Sequence, residues 1–298
     1  CDARKERCRE MEKAIQRCSF VVLVVFICFA AITQGYGAIN SWGDVHPPDP
    51  STWTWATDAY VGKDADGGIS VTEDDDIVAF EAYLGYESGV VGSATIYGAG
   101  SSWSCSDNLF VSYYGQGTLE ISNGGYVCCY DDGCIGTYSG SIGTVSVDGA
   151  GSSLSCSDDL YVGYYAKSRG VLHITNGGDV SCNDGYIGNA SDGGWHPSTG
   201  IVFVDGADSS WNCSHNLCVG NSGQGTLKIL NGGYVSCNIG YISCSGFSTG
   251  TVTIDGAGSS LSCSDDFYVG KSGQGTLNIS NGGSISSDWD LYLSLIHI

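Results

Sequence analysis

Residues 250–270 read G-T-V-T-I-D-G-A-G-S-S-L-S-C-S-D-D-F-Y-V-G. Successive side chains of a strand point to opposite faces, so Val252 and Ile254 share one face. The chain turns at Asp255-Gly256-Ala257-Gly258, and Leu261 and Cys263 share a face in the next short run. It turns again at Ser264-Asp265-Asp266, after which Phe267 and Val269 share a face with Tyr268 opposite. Three short period-two strands separated by Gly, Asp and Ser corners make up the unit.

The unit recurs. The middle residue of its last strand appears at 60, 83, 110, 134, 161, 186, 218, 241, 268 and 292, which is ten copies. The spacing is roughly 26 residues, the signature of a stacked repeat. Two corner spellings alternate. Asp-Gly-Ala stands at Asp148, Asp205 and Asp255, with Tyr97-Gly98-Ala99 related; Asn-Gly-Gly stands at Asn123, Asn176, Asn231 and Asn281. The full period is therefore about 50 residues, two turns of chain.

Three strands and three corners in about 25 residues describe one coil of a parallel β-helix. Each coil offers about six inward apolar side chains, worth roughly 1.5–3 kcal/mol apiece on burial. Ordering about 25 residues costs roughly 1–2 kcal/mol each for the backbone alone. One coil alone cannot fold. Stacked coils can, because each strand then pairs with its equivalent about 4.8 Å away.

Composition agrees. Gly is 46 of 298 residues, Pro is 4 and Tyr is 18, while apolar content of 42% argues against disorder. Residues 1–38 hold six Lys/Arg and four Asp/Glu, so the remainder carries five basic and 28 acidic residues, a net of −23. Such a surface repels phosphate backbones, and no nucleic-acid partner is expected. No C-x-x-C pair occurs among the 15 Cys, which argues against a zinc site.

The N-terminus reads as an export signal. Residues 1–10 lack Met and look like upstream translated sequence, with Met11 as the expected start. Lys13 and Arg17 precede a 13-residue apolar run, Phe20 to Ile32. That run is short for a bilayer span and suits a signal-peptide core, so 11–38 is expected to be a signal helix cleaved near Ala38. No stable membrane span is expected in the mature chain. Residues 39–57, with Trp42, Trp53, Trp55 and Pro47, Pro48 and Pro50, are expected to cap the array that occupies 58–292.

Three rows follow from the period. Cys105, Cys129, Cys156, Cys182, Cys213, Cys237 and Cys263 hold one equivalent place and should point inward as a ladder of small core residues. Stacked Cα atoms there lie close enough for disulfides, but stacked Cβ atoms do not without local distortion. Tyr60, Tyr83, Phe110, Tyr161, Tyr186, Tyr241, Tyr268 and Tyr292 should point outward, interrupted by Cys134 and Cys218. Aromatic stacking between neighbouring strands accounts for that row, and a flat aromatic row also suits sugar rings. The longest insertion, residues 189–199 with Trp195, His196 and Pro197, is the best candidate for a specific contact.

Catalytic signals are weak. Gly246-Phe247-Ser248-Thr249-Gly250 spells a nucleophile elbow but falls between two coils rather than between a strand and a helix. Asp64-Ala65-Asp66-Gly67 lacks the fifth-position and twelfth-position ligands of a calcium loop. The pairs Asp158-Asp159 and Asp265-Asp266 read as solvated turn residues with at most weak calcium affinity. Lys63, Lys167, Arg169, Lys228 and Lys271 are scattered, which disfavours a lyase acting on acidic sugars. No catalytic, cofactor-binding or metal-binding residue is assigned, and no cofactor is expected.

The stretch from 250 to 283, running from G-T-V-T-I-D-G-A-G-S-S-L-S to G-Q-G-T-L-N-I-S-N-G-G, resembles the repeat of bacterial type V secretion (autotransporter) passengers and of PEP-CTERM surface proteins. The resemblance covers about residues 59–292. It implies an all-β chain, a right-handed parallel β-helix of about ten coils behind an N-terminal signal helix. It also implies an exported, non-catalytic surface or extracellular protein, a stalk or adhesin, outer-membrane associated at full length. Candidate partners are an extracellular polysaccharide or a host or neighbouring cell surface. The alternative is a β-helical carbohydrate-active enzyme or glycan-binding protein. The family more often carries Asn or another polar residue where this chain carries the inward Cys. The tail at 293–298, L-S-L-I-H-I, resembles translated sequencing adapter, so the natural chain is expected to continue beyond residue 292.

Overall fold

The computed structural model of the chain describes residues 38–72, 74–190 and 196–294. The signal segment, Trp195 and the end of the tail lie outside the described residues.

Each coil runs as a long, a medium and a short strand, as in Thr249–Asp255, Ser260–Cys263 and Phe267–Val269. Equivalent strands of successive coils pair in parallel and in register: Val252 opposes Leu277, Leu261 opposes Ile285 and Tyr268 opposes Tyr292. Three sheets of 10, 9 and 11 strands result, and the chain is an all-β parallel β-solenoid. The six side chains that alternation turns inward in the 250–270 unit are all buried.

Among the described residues nine three-strand coils stack, from Gly67–Thr72 to Leu291–Leu293. The first copy of the short strand, Ala59–Val61, has no long strand of its own coil ahead of it. Asn40–Gly43 and Val45–His46 precede it instead and pair antiparallel onto Gly67–Thr72 and Ala59–Val61. Trp53 is buried there, its ring 6.2 Å from that of Trp103, and its indole N–H donates to the Pro47 carbonyl at 2.9 Å. Trp42 and Trp55 remain half exposed.

The two-coil period has a packing cause. The first residue of the short strand alternates between bulky and absent side chains: Leu109, Gly133, Leu160, Gly185, Leu217, Gly240, Phe267. A Cβ on Gly240 would sit 2.3 Å from the Phe267 ring, and one on Gly185 would sit 2.7 Å from the Trp211 ring. The bulk of one coil thus fills the space vacated in the coil before it, which keeps a narrow core dense.

The corners interlock in the same rhythm. Asn176, Asn231 and Asn281 adopt positive φ, which Asn tolerates better than most residues. Their side chains donate to Asp148, Asp205 and Asp255 of the preceding coil at 2.6, 2.7 and 2.6 Å. Ser152, Ser209 and Ser259 close the other spelling by accepting the amides of Gly124, Gly177 and Gly232. The alternating spellings are two halves of one joint.

Each long strand is entered through a glycine pressed against backbone. A Cβ on Gly225 would lie 2.2 Å from the Gly220 nitrogen and 2.5 Å from the Ile187 carbonyl oxygen. Gly246 has nothing nearer than the Ser272 carbonyl oxygen at 3.7 Å. Gly225→Ala should therefore cost at least about 2 kcal/mol through forced backbone movement. Gly246→Ala should stay within about 1 kcal/mol of the parent. Urea unfolding of the two variants checks the contrast.

Candidate functional site

The corner leading into the short strands carries the most concentrated chemistry. Two residues before every position of this row except Tyr241 stands an acid or amide: Asp58, Glu81, Asn108, Asp132, Asp159, Asp184, Asn216, Asp266, Asp290, with Ile239 the exception. Stacking like on like brings these groups into one column, which for carboxylates is repulsive. Hydrogen bonds offset the repulsion. Asp132 accepts the Asp159 amide at 3.1 Å, Asp159 accepts the Asp184 amide at 3.2 Å, and Asp184 accepts the Asn216 amide at 2.6 Å. Asp266 accepts the Asp290 amide at 3.1 Å. Asn108 does the same for Asp132 with its carbonyl oxygen, also at 3.1 Å.

The tyrosines complete the arrangement. The hydroxyls of Tyr161, Tyr268 and Tyr292 donate to Asp159, Asp266 and Asp290 at 2.9, 2.8 and 3.0 Å, and Tyr83 donates to Glu81 at 2.5 Å. Each such carboxylate binds its own coil's phenol, and Asp159 and Asp266 also bind the next coil's backbone. Burial and the partner carboxylate push the Tyr161 hydroxyl well above the ordinary phenol range. Tyr268 is pushed up to about 12, chiefly by its hydrogen bond to Asp266.

Cys134 and Cys218 divide the aromatic row into three stacks. Rings lie parallel at 4.8 Å for Tyr60–Tyr83, 5.0 Å for Tyr83–Phe110 and for Tyr161–Tyr186, 5.2 Å for Tyr241–Tyr268 and 4.6 Å for Tyr268–Tyr292. A second row, which period-two reasoning passes over, stands in the loop beyond. Tyr86 and Tyr113 stack on each other at 5.0 Å and meet the first row edge-on, Tyr86 at 5.1 Å from Tyr60 and Tyr113 at 5.1 Å from Phe110. Tyr138 and Tyr165 continue the outer stack at 4.8 Å. The first row is therefore no open flat platform for sugar rings: Tyr83 is only 8% exposed. Lys63 lies over Tyr60 at 4.4 Å and Lys271 lies over Tyr241 at 4.4 Å. The signal for the second row was the recurrence of Tyr three residues after the first, at Tyr86, Tyr113 and Tyr164.

One residue further out runs a second acidic column with Asp107, Asp131, Asp158 and Asp265. Burial and contact with the Asp131 carboxyl raise the Asp107 pKa above the ordinary carboxylate value. Oxygens of Asp131, Asp132 and Asp158 lie within 4.8 Å of one another, a set chemically suited to a hard divalent cation. Asp132 already spends one oxygen on the Asp159 amide. Beside this corner Tyr130 is 62% exposed, with its ring edge-on to Trp55 at 6.3 Å.

Other candidates are accounted for locally. The Asp64-Ala65 turn points its amides inward, and Lys63, Asp64 and Ala65 donate to the Asp44 carboxylate at 3.1, 2.6 and 3.0 Å. Ser248 is buried, its hydroxyl donating to the Ser245 carbonyl at 2.7 Å and meeting the Ser243 hydroxyl at 2.7 Å. Residues 191–195 of the long insertion lie outside the described residues. At its edges Asn189 accepts from Asn221 at 2.8 Å, and the Pro197 carbonyl accepts the Lys167 amide at 3.3 Å. Asp159 and Asp266 differ from the solvated-turn expectation, because their carboxylates join coil to coil.

No family model, no curated protein and no solved structure matches the chain.

Asp132 sits in the coil whose row residue is Cys134, so it lacks the phenol that Asp159 has one coil later. Burial, reinforced by the surrounding carboxylates and opposed by the Asp159 amide, raises its pKa from 3.8 to about 6. The folded value exceeds the unfolded one. The stabilisation from protonating this group is thus full below pH 3.8 and lost as pH rises through about 6. Asp132→Asn keeps an acceptor for the Asp159 amide, as Asn108 does one coil earlier. The variant should be more stable than the parent at pH 7 by roughly 1–2 kcal/mol after allowance for solvent screening. Its advantage should vanish near pH 4. Urea midpoints from pH 4 to pH 7.5 measure both.

Proposed function

We propose that the chain is an exported, non-catalytic structural repeat protein of a cell surface or extracellular matrix, a stalk or adhesin-type passenger. One observation carries the reading. Its chemical groups recur by translation along the stack, acids, phenols and thiols each forming a column with interruptions, and several of the carboxylates take backbone amides of the next coil. A reaction centre needs different groups converging on one point. The basic and then apolar residues 13–32 supply the argument for export. The acidic outer face suits a soluble, extended array that does not associate sideways.

Trp55 and Tyr130 favour a second reading, a glycan-binding surface. Exposed rings beside the Asp107 and Asp131 carboxyls offer a sugar both a stacking face and hydrogen-bond acceptors.

Secretion from a Gram-negative host followed by N-terminal sequencing tests the first reading. A new N-terminus near Ala38 is expected, and retention of the intact chain in the cytoplasm would count against it. Incubation of the purified chain with a polysaccharide panel should release no reducing ends; sustained release would make it an enzyme. If the panel retains the chain, Trp55→Ala with Tyr130→Ala should weaken retention about tenfold or more. Both side chains are largely exposed, so the unfolding midpoint should stay put.

A further inference from the structure

The inward cysteines are not an evenly spaced file. Their Sγ atoms approach in twos, 3.6 Å between Cys182 and Cys213 and 3.1 Å between Cys237 and Cys263. A Cβ on Gly133 would lie 2.5 Å from the Cys156 Sγ and 3.7 Å from the Cys129 Sγ, so these two thiols border one hollow. From Cys129 onward, backbone pairing follows the same rhythm. Strand register joins Cys129 to Cys156, Cys182 to Cys213 and Cys237 to Cys263, and it also joins Cys105 to Cys129. It stops one residue short, at Ser155–Ser181 and Asn212–Ser236, between these later pairs.

The cause is the alternation of bulk and glycine in the facing short strands. A Cβ on Gly133 would lie 2.5 Å from the Cys156 Sγ, one on Gly185 would lie 2.8 Å from the Cys213 Sγ, and one on Gly240 would lie 2.9 Å from the Cys263 Sγ. Each thiol of a bulky coil leans into the hollow over the glycine of the coil before, and there it meets that coil's thiol. Cys105 belongs to a bulky coil, with Leu109, and the same rule would turn it toward the coil before, the one that holds Ala79. The residue paired with it there is Ala79, so it has no partner on that side.

We propose that these thiols are a modification site: the ladder is oxidised pairwise to three internal disulfides, Cys129–Cys156, Cys182–Cys213 and Cys237–Cys263, which staple the solenoid into two-coil units and leave Cys105 a free thiol. In-register parallel strands hold the paired Cα atoms about 4.8 Å apart, inside the disulfide range, and a small local inward shift of the two Cβ atoms lets the Sγ atoms close. The oxidant is a small-molecule disulfide or its protein equivalent. A cysteine thiolate attacks one donor sulfur and expels the donor thiolate. The second cysteine thiolate then attacks the mixed disulfide and expels the other donor thiolate. The two cysteines lose two electrons and two protons in all, and the donor becomes two thiols. Burial holds Cys156 and Cys213 protonated in the closed coil, so exchange occurs as each second coil docks and the finished bonds are shielded from reductant. The inference goes beyond the proposed function and does not depend on it, since oxidised glutathione supplies the donor in the test.

The full chain is folded in a buffer of oxidised and reduced glutathione, quenched in acid, alkylated under denaturing conditions and mapped after cleavage at Asp. Disulfide peptides 129–156, 182–213 and 237–263 with alkylated Cys105 are expected. Alkylation of all seven inward cysteines, or bonds in the shifted register 105–129, 156–182 and 213–237, would overturn the proposal. Two single variants make the rule independent of yield in the parent. Ala79→Cys should bond to Cys105, because it supplies the partner missing beneath a bulky coil. Ser287→Cys, although in register with Cys263, should remain alkylatable, because Cys263 leans the other way. A bond at 263–287, or none at 79–105, would refute the rule even if one native pair formed by chance.

Discussion

The structure depends on parallel, in-register pairing of equivalent strands between coils. Once position n of one coil is bonded to position n of the next, every side chain has its own homologue as nearest neighbour, about 4.8 Å away. For aliphatic residues and aromatic rings this is favourable, and the buried Val, Ile and Leu columns and the Tyr stacks follow directly. For bulky residues and carboxylates it is not. Two bulky groups cannot fill one layer of a narrow core, and two like charges at that spacing repel.

The chain meets both difficulties with one device, a period of two coils laid over a period of one. Leu160 fills the space over Gly133 and Leu217 that over Gly185, so core volume is shared between layers. Asn176 reaches back to Asp148 and Asn231 to Asp205, so the outer corners alternate donor and acceptor. The acid column is interrupted by Asn108, Asn216 and Ile239, and where acids follow one another their oxygens take backbone amides and phenols. Asp132, beside Cys134 rather than a phenol, has its pKa raised to about 6, chiefly by burial.

Much of this was legible in the sequence. Alternation within residues 250–270 identified all six inward side chains of that coil, and the ten recurring short strands are all present. Nine coils rather than ten are complete because local pattern cannot reveal that residues 40–46 would pair antiparallel onto the first two strands. The two-coil period was read from the corner spellings, but its cause in the core was missed. Leu109, Gly133, Leu160 and Gly185 were each visible as members of a repeat, yet a glycine was read as a turn former rather than as space for a neighbour. The aromatic row was placed on the outer face of its strand with its rings stacked, as found, but the second row that packs against Tyr60, Tyr83 and Phe110 was missed. Tyr86 and Tyr113 belong to a loop whose path only the stacked structure defines. The carboxylates of Asp159 and Asp266 were read as solvent-facing, because hydrogen bonds between residues 25 or 24 apart have no signature in a local window.

Translation along the stack also decides what kind of function the architecture favours. A solenoid multiplies a motif; it does not readily bring an acid, a base and a nucleophile to one point, since each is surrounded first by copies of itself. Several carboxylates here are committed to joining coils. The outer surface carries repeated acids and the exposed aromatic pair of Trp55 and Tyr130. Groups repeated at a fixed spacing give weak contacts that gain strength by number when the partner is itself a repeating chain. A polysaccharide or a crowded cell surface is such a partner, which is why the proposed surface role looks to an extended ligand. The regularity that makes the fold readable is thus also the physical basis of that proposal.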